Sequence, residues 1–89
     1  MASYQVELKD SAQRELRRLP KPEIIRLSKA IDSLADNPFP LQSKKLFGLT
    51  NAYRLRVGNY QVVYAVDGQA FLVTVIRIRH RKDAYRNFR

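Results

Sequence analysis

The chain has 89 residues, 17 Lys and Arg against 8 Asp and Glu, one His, no Cys and no Trp, giving a formal net charge of +9. One domain of this size buries about 60% of the surface its unfolded chain exposes, so there is no room for a separate cofactor domain. The absence of Cys excludes disulfides and thiolate chemistry, and one His leaves no zinc-finger ligand set.

With 45% hydrophobic residues the composition is that of a globular chain. The longest apolar run, Phe71 to Ile76, contains Thr74 and is far too short to span a bilayer. The N-terminus has no basic-then-apolar signal pattern, so the expectation is a soluble cytoplasmic protein forming a single domain over residues 1–89.

In chain order, Tyr4–Leu8 alternates as a short strand. Asp10 or Ser11 is placed to cap a helix with Ala12, Leu16 and Leu19 on one side, and Gln13 completes a weak capping box. Pro20 and Pro22 end it, and Pro22 suits the first turn of a second helix. There Ile24, Leu27, Ile31 and Leu34 form one apolar stripe that stops at Asn37-Pro38. Residues 38–52 read as an irregular connection.

Residues 53–57 and 60–66 flank Gly58-Asn59, the spacing of a tight hairpin. Val57 then lies opposite Tyr60, Arg56 opposite Gln61 and Arg54 opposite Val63. One face carries Tyr53, Leu55, Val57, Tyr60, Val62, Tyr64 and Val66 toward the helices. The other carries Arg54, Arg56, Gln61, Val63 and Ala65 toward solvent or a partner. A last strand runs from Ala70 to about Arg79. Burying arginine is prohibitive, so Leu72, Ile76 and Ile78 should face the core and Arg77, Arg79 and Arg81 the outside, which requires a three-residue loop, Asp67-Gly68-Gln69. The expected fold is α+β: an N-terminal strand, a helical hairpin and an antiparallel three-stranded meander, making one four-stranded sheet packed on two helices.

Charge is unevenly placed. Residues 1–40 hold seven cations and six anions, whereas residues 41–89 hold ten cations and two anions. Arg54, Arg56, Arg77, Arg79 and Arg81 then form one outer face without a carboxylate. Such a face suits a polyanion, with nucleic acid as the leading candidate and edge protection against aggregation as the simpler alternative. No amphipathic basic helix suggests a membrane surface. Asp67 and Asp83, the two carboxylates of the basic half, lie at opposite ends of the last strand, which argues against a metal or other cofactor.

The element order, Lys45-Leu46-Phe47-Gly48-Leu49, the stretch Tyr53 to Tyr64 and the ending Ile78-Arg79-His80-Arg81-Lys82-Asp83-Ala84-Tyr85-Arg86 together resemble the RelE/ParE superfamily of bacterial and archaeal toxins. The resemblance spans essentially the whole chain. It implies the toxin of a type II toxin–antitoxin pair, held by a RelB-like antitoxin whose acidic segment covers the basic sheet face or docks on the helical hairpin. RelE-type members cleave mRNA in the ribosomal A site; ParE-type members inhibit DNA gyrase and cut no RNA. The expected activity is ribosome-dependent, metal-independent mRNA cleavage through the 2′-hydroxyl, with the ribosome and its mRNA as further partners and no small-molecule ligand. A gyrase inhibitor or a basic nucleic-acid-binding module is the alternative.

Carried over position by position, the resemblance makes Arg54, Arg56, Arg81 and Tyr85 the catalytic set. Arg54 and Arg56 fall where RelE-type enzymes place cations, Arg81 where they place a catalytic arginine, and Tyr85 where a tyrosine stacks on a base or assists proton transfer. Lys44, Lys45, Gln61, Arg77, Arg79, His80, Lys82 and Arg86 form the expected RNA-binding surface. Gln61 departs from the pattern, which has a phosphate-contacting arginine there. His80 alternates toward the core side, where packing and catalysis are both open, and Lys44 and Lys45 read either as solvated loop residues or as a base.

Overall fold

The computed structural model describes residues 3–82. Its elements are β1 (Gln5–Leu8), α1 (Asp10–Arg17), α2 (Lys21–Ser33), β2 (Ser43–Lys45), β3 (Ala52–Val57), β4 (Tyr60–Asp67) and β5 (Leu72–His80). The strands form one sheet in the order β1-β5-β4-β3-β2, with β1 parallel to β5 and every other pair antiparallel. One face of the sheet packs on the helices. Ala12 from α1 and Leu27, Ile31 and Leu34 from α2 meet Leu55, Val62, Tyr64, Val66, Val73, Val75 and Ile78 in one core. The apolar stripe of α2 is buried at Leu27, Ile31 and Leu34 as its spacing predicts, Ile24 being only partly covered, and the helix starts after Pro20 with Pro22 in the first turn.

The β3–β4 register agrees residue for residue with the reading of the turn: Val57 opposite Tyr60, Arg56 opposite Gln61, Arg54 opposite Val63. Gly58 supplies the left-handed conformation (φ 59°) that the first turn position of a tight hairpin demands. A Cβ there would also come within 2.6 Å of the Arg26 guanidinium.

Four expectations are corrected. The sheet has five strands, because Ser43–Lys45 pairs with Leu55–Tyr53 as an edge strand. Its polar sequence, which follows Pro38 and Pro40, has no apolar alternation, and the pairing comes from the neighbouring strand. The helix α1 has no side-chain cap: Lys9 is its N-cap, Ser11 donates to the Ile76 carbonyl at 2.8 Å, and the Gln13 amide donates to the Leu8 carbonyl at 3.3 Å. The polar groups of the first turn serve neighbouring strands instead.

In β5, Val73 and Val75 point to the core with Ile78, while Leu72 and Ile76 do not. A shift of register between Val63 and Tyr64 inserts Ile76 as a bulge, so that Tyr64 faces Val75 while Val63 faces Arg77. One extra residue exchanges the two faces of a strand. Arg77 and Arg79 are kept off the core by this bulge, and the loop before β5 is a four-residue one, Gly68–Phe71, bounded by the Asp67–Leu72 pair. Asp67 accepts the Gln69 and Ala70 N–H groups there. The fourth correction, the burial of Gln61 and Val63 on the basic face, belongs to the site below.

Tyr53, Tyr60 and Tyr64 pack as core-face residues should. Tyr64 is fully buried, stacks on Tyr53 with ring centroids 5.8 Å apart, and donates its hydroxyl to the Pro38 carbonyl at 2.8 Å. Burial pushes its phenol above the ordinary value, and the nearby Ser43 hydroxyl offsets only part of that rise. A raised folded pKa adds stability that is complete below the unfolded value of about 10 and is lost as pH climbs through the folded value. Tyr64→Phe should therefore cost about 1–2 kcal/mol at neutral pH by leaving the Pro38 carbonyl without its donor. Thermal melts from pH 8 to 11 should show the wild type losing stability more steeply than the variant above about pH 10.

Candidate nucleic-acid interface

Pairing across the sheet sets the outer face in two rows. Lys44 lies opposite Arg54, Arg54 opposite Val63, and Val63 opposite Arg77. Arg56 lies opposite Gln61, and Gln61 opposite Arg79. The middle of both rows is covered: Val63 is 4% exposed and Gln61 8% exposed. Gln61 is therefore not the open phosphate donor that the sequence suggests. Its Oε1 accepts a hydrogen bond from Arg54 Nη1 at 3.2 Å, which makes the glutamine a support beneath the guanidinium.

Lys44, Arg54 and Arg56 converge with Gln42 and Gly58 around one cleft of about 510 Å³. Among the described residues no carboxylate lines it. Arg81 is brought to the same end of the sheet, since its N–H donates to the Asn59 carbonyl of the β3–β4 turn at 2.8 Å. Three cations around one concavity make an anion receptor, and two of them are guanidiniums able to grip a phosphate through paired donors.

The other expected residues divide. Lys45 pairs with Tyr53 and so alternates to the opposite face from Lys44. His80 packs its ring edge-on against Tyr60 at 5.3 Å, and its Nδ1 accepts the Lys82 N–H at 3.3 Å. Lys82 is exposed. Tyr85 and Arg86 lie outside the described residues.

The idea of five arginines without a carboxylate does not hold. Glu15 of α1 lies 3.3 Å from Arg77 Nη1 and 3.2 Å from Arg79 Nε, both through Oε2. Its Oε1 accepts the Ile78 N–H at 2.8 Å. Sequence reasoning passed over Glu15 because the mixed charge of residues 1–40 looks like an ordinary solvated helix face. The available signal was its spacing from Ser11, four residues earlier, which puts both side chains on one side of α1.

The family model for the ParE toxin of type II toxin–antitoxin systems matches residues 6–85. The chain is 33% identical over 84 residues to Toxin RelE of Mycobacterium tuberculosis, covering 93% of this chain and 87% of that protein. Among solved structures it is similar to the archaeal RelE–RelB complex from Pyrococcus horikoshii, with a TM-score of 0.80 and 27% identity over 89% of this chain and 96% of that one. It is also similar to the RelBE2 toxin–antitoxin complex from Mycobacterium tuberculosis, with a TM-score of 0.79 and 26% identity over 89% of this chain and 99% of that one.

Proposed function

The chain belongs to the ParE toxin family of type II toxin–antitoxin systems, within the RelE/ParE superfamily, and on that premise we propose that it is a ribosome-dependent mRNA endoribonuclease. Fold alone does not choose between the activities this scaffold carries, so the choice rests on the site. The observation that carries it is the convergence of Lys44, Arg54 and Arg56 on one cleft that no carboxylate of the described residues lines, with Arg81 tied to the adjoining turn.

Attack of a ribose 2′-hydroxyl on the neighbouring phosphate builds up negative charge on the phosphorane oxygens. Fixed cations aimed at those oxygens stabilise that transition state more than the ground state. Arg54, held from below by Gln61, and Arg56 beside it are proposed to take the phosphate, with Lys44 and Arg81 at the margins of the cleft. Tyr85 retains the role that the resemblance implies, stacking on a base or assisting proton transfer. A RelB-like antitoxin with an acidic segment is the proposed partner, since the two solved relatives described above are toxin–antitoxin complexes. Its charge complements the +8 of residues 41–89.

One observation favours a second reading. Gln61 supplies no net charge at the centre of the basic face, which suits a gyrase inhibitor that cuts no RNA. Incubation with programmed ribosomes and, separately, with gyrase on supercoiled DNA separates the two. The nuclease reading expects A-site mRNA cleavage and unaffected supercoiling. The support given to Arg54 is tested by Gln61→Leu, which keeps the volume and removes the acceptor. Cleavage should fall about 3–10-fold, the worth of one modest hydrogen bond. A loss confined to kcat, with little change in melting temperature, would identify an orienting role.

A further inference from the structure

Strand β1 pairs with β5 only from Leu72 to Val75. Beyond the Ile76 bulge no strand among the described residues lies beside the same edge of β5, and α1 takes over. Lys9 N–H donates to the Val75 carbonyl at 2.9 Å, Ser11 Oγ to the Ile76 carbonyl at 2.8 Å, and Glu15 Oε1 accepts the Ile78 N–H at 2.8 Å. The backbone bond fixes the carboxylate, and its second oxygen then faces the two arginines that flank Ile78. Glu15 is 21% exposed as a side chain, Arg79 24% and Arg77 45%. Arg54 and Arg56 stand two strands away on β3, with Gln61 and Val63 of β4 between.

We propose that Glu15 is a positioning residue that divides the basic face, holding Arg77 and Arg79 at the β5 edge as partly neutralised partners and leaving the phosphate backbone of single-stranded RNA to Lys44, Arg54, Arg56 and Arg81. This rests on the RNA-binding reading above. The division narrows the surface to one track through the cleft. An RNA strand that could also pair with Arg77 and Arg79 would have a second path across β5 on which no phosphate meets the cleft, so binding would rise while productive placement fell.

Counting the phosphates that bind tests this directly. The logarithm of the binding constant for a single strand falls with the logarithm of salt by about 0.7 per neutralised phosphate. The probe is a fluorescein-labelled single-stranded oligouridylate, followed by anisotropy from about 50 to about 300 mM salt. Glu15→Gln keeps an oxygen for the Ile78 N–H and removes the charge. It should tighten binding and steepen the slope by about 0.7–1.4, one or two added phosphates. The pair Arg77→Gln and Arg79→Gln should leave the slope unchanged when Glu15 is present and restore the wild-type slope when added to Glu15→Gln.

The proposal is overturned if Arg77→Gln with Arg79→Gln flattens the slope in the presence of Glu15, or if folded Glu15→Gln binds as the wild type does. The double arginine variant decides the matter even if Glu15→Gln fails to fold. Arg54→Gln with Arg56→Gln must flatten the slope by about 1.4; if it changes nothing, the RNA-binding reading itself fails and takes this proposal with it.

Discussion

Arg54→Ala combined with Arg56→Ala should abolish measurable mRNA cleavage while leaving a folded protein. Removing one donor aimed at a developing oxyanion costs on the order of 10²–10³-fold in rate. Two cations gripping one phosphate act as a unit, so the double loss should be smaller than the product of the single ones. Arg56 is exposed, Arg54 is half-buried, and neither belongs to the core cluster. Stability should therefore change by under about 1 kcal/mol for each. Removing Arg54 also uncovers the Gln61 amide, but to water, which replaces the lost partner. Single-turnover cleavage and thermal melting on the same preparations check this, and a parallel loss of both would assign the arginines a structural role.

The largest effect on stability is expected from Leu34→Ala. Leu34 is fully buried at the end of α2 and belongs to the core that joins the helices to the sheet. Emptying such a site costs about 2–5 kcal/mol, against a total of about 5–15 kcal/mol for a domain. Small domains lose about 4–8 °C of melting temperature per kcal/mol, so a fall of at least about 10 °C is expected. Cleavage per folded molecule should be unchanged below the new transition, because Leu34 belongs to the core between helices and sheet and none of the residues lining the cleft is part of that core. A melting curve with an active-site titration distinguishes this variant from the arginine pair, which does the reverse.

The features legible in the sequence were those with a local cause. Gly58-Asn59 allowed only one close pairing of its flanking strands, so the register of Arg54, Arg56 and Gln61 followed from it. The stripe of Leu27, Ile31 and Leu34 has a single way to be buried. What escaped were features set by neighbours distant in sequence. The Ile76 bulge can be inferred only by knowing that Val73 and Val75, before it, and Ile78, after it, must share one face. The pairing of Ser43–Lys45 depends on an edge that β3 offers. Gln61 and Val63 are buried between arginine-bearing positions of the two neighbouring strands, with the Arg54 guanidinium bonded to Gln61, and strand alternation alone says nothing of that burial. Glu15 and its arginines are separated by more than sixty residues, and only the seating of α1 on the β5 edge unites them.

On the proposed function, the cleft would hold a phosphate for attack by the adjacent 2′-hydroxyl. The most direct measurement compares two mRNAs on programmed ribosomes, one all-ribose and one with a single 2′-deoxynucleotide on the 5′ side of the scissile A-site bond. Attack by the 2′-hydroxyl should cleave the first, leaving a 2′,3′-cyclic phosphate, and spare the second. Cleavage of both would contradict 2′-hydroxyl attack, and cleavage of neither, together with loss of gyrase supercoiling, would contradict the nuclease function altogether.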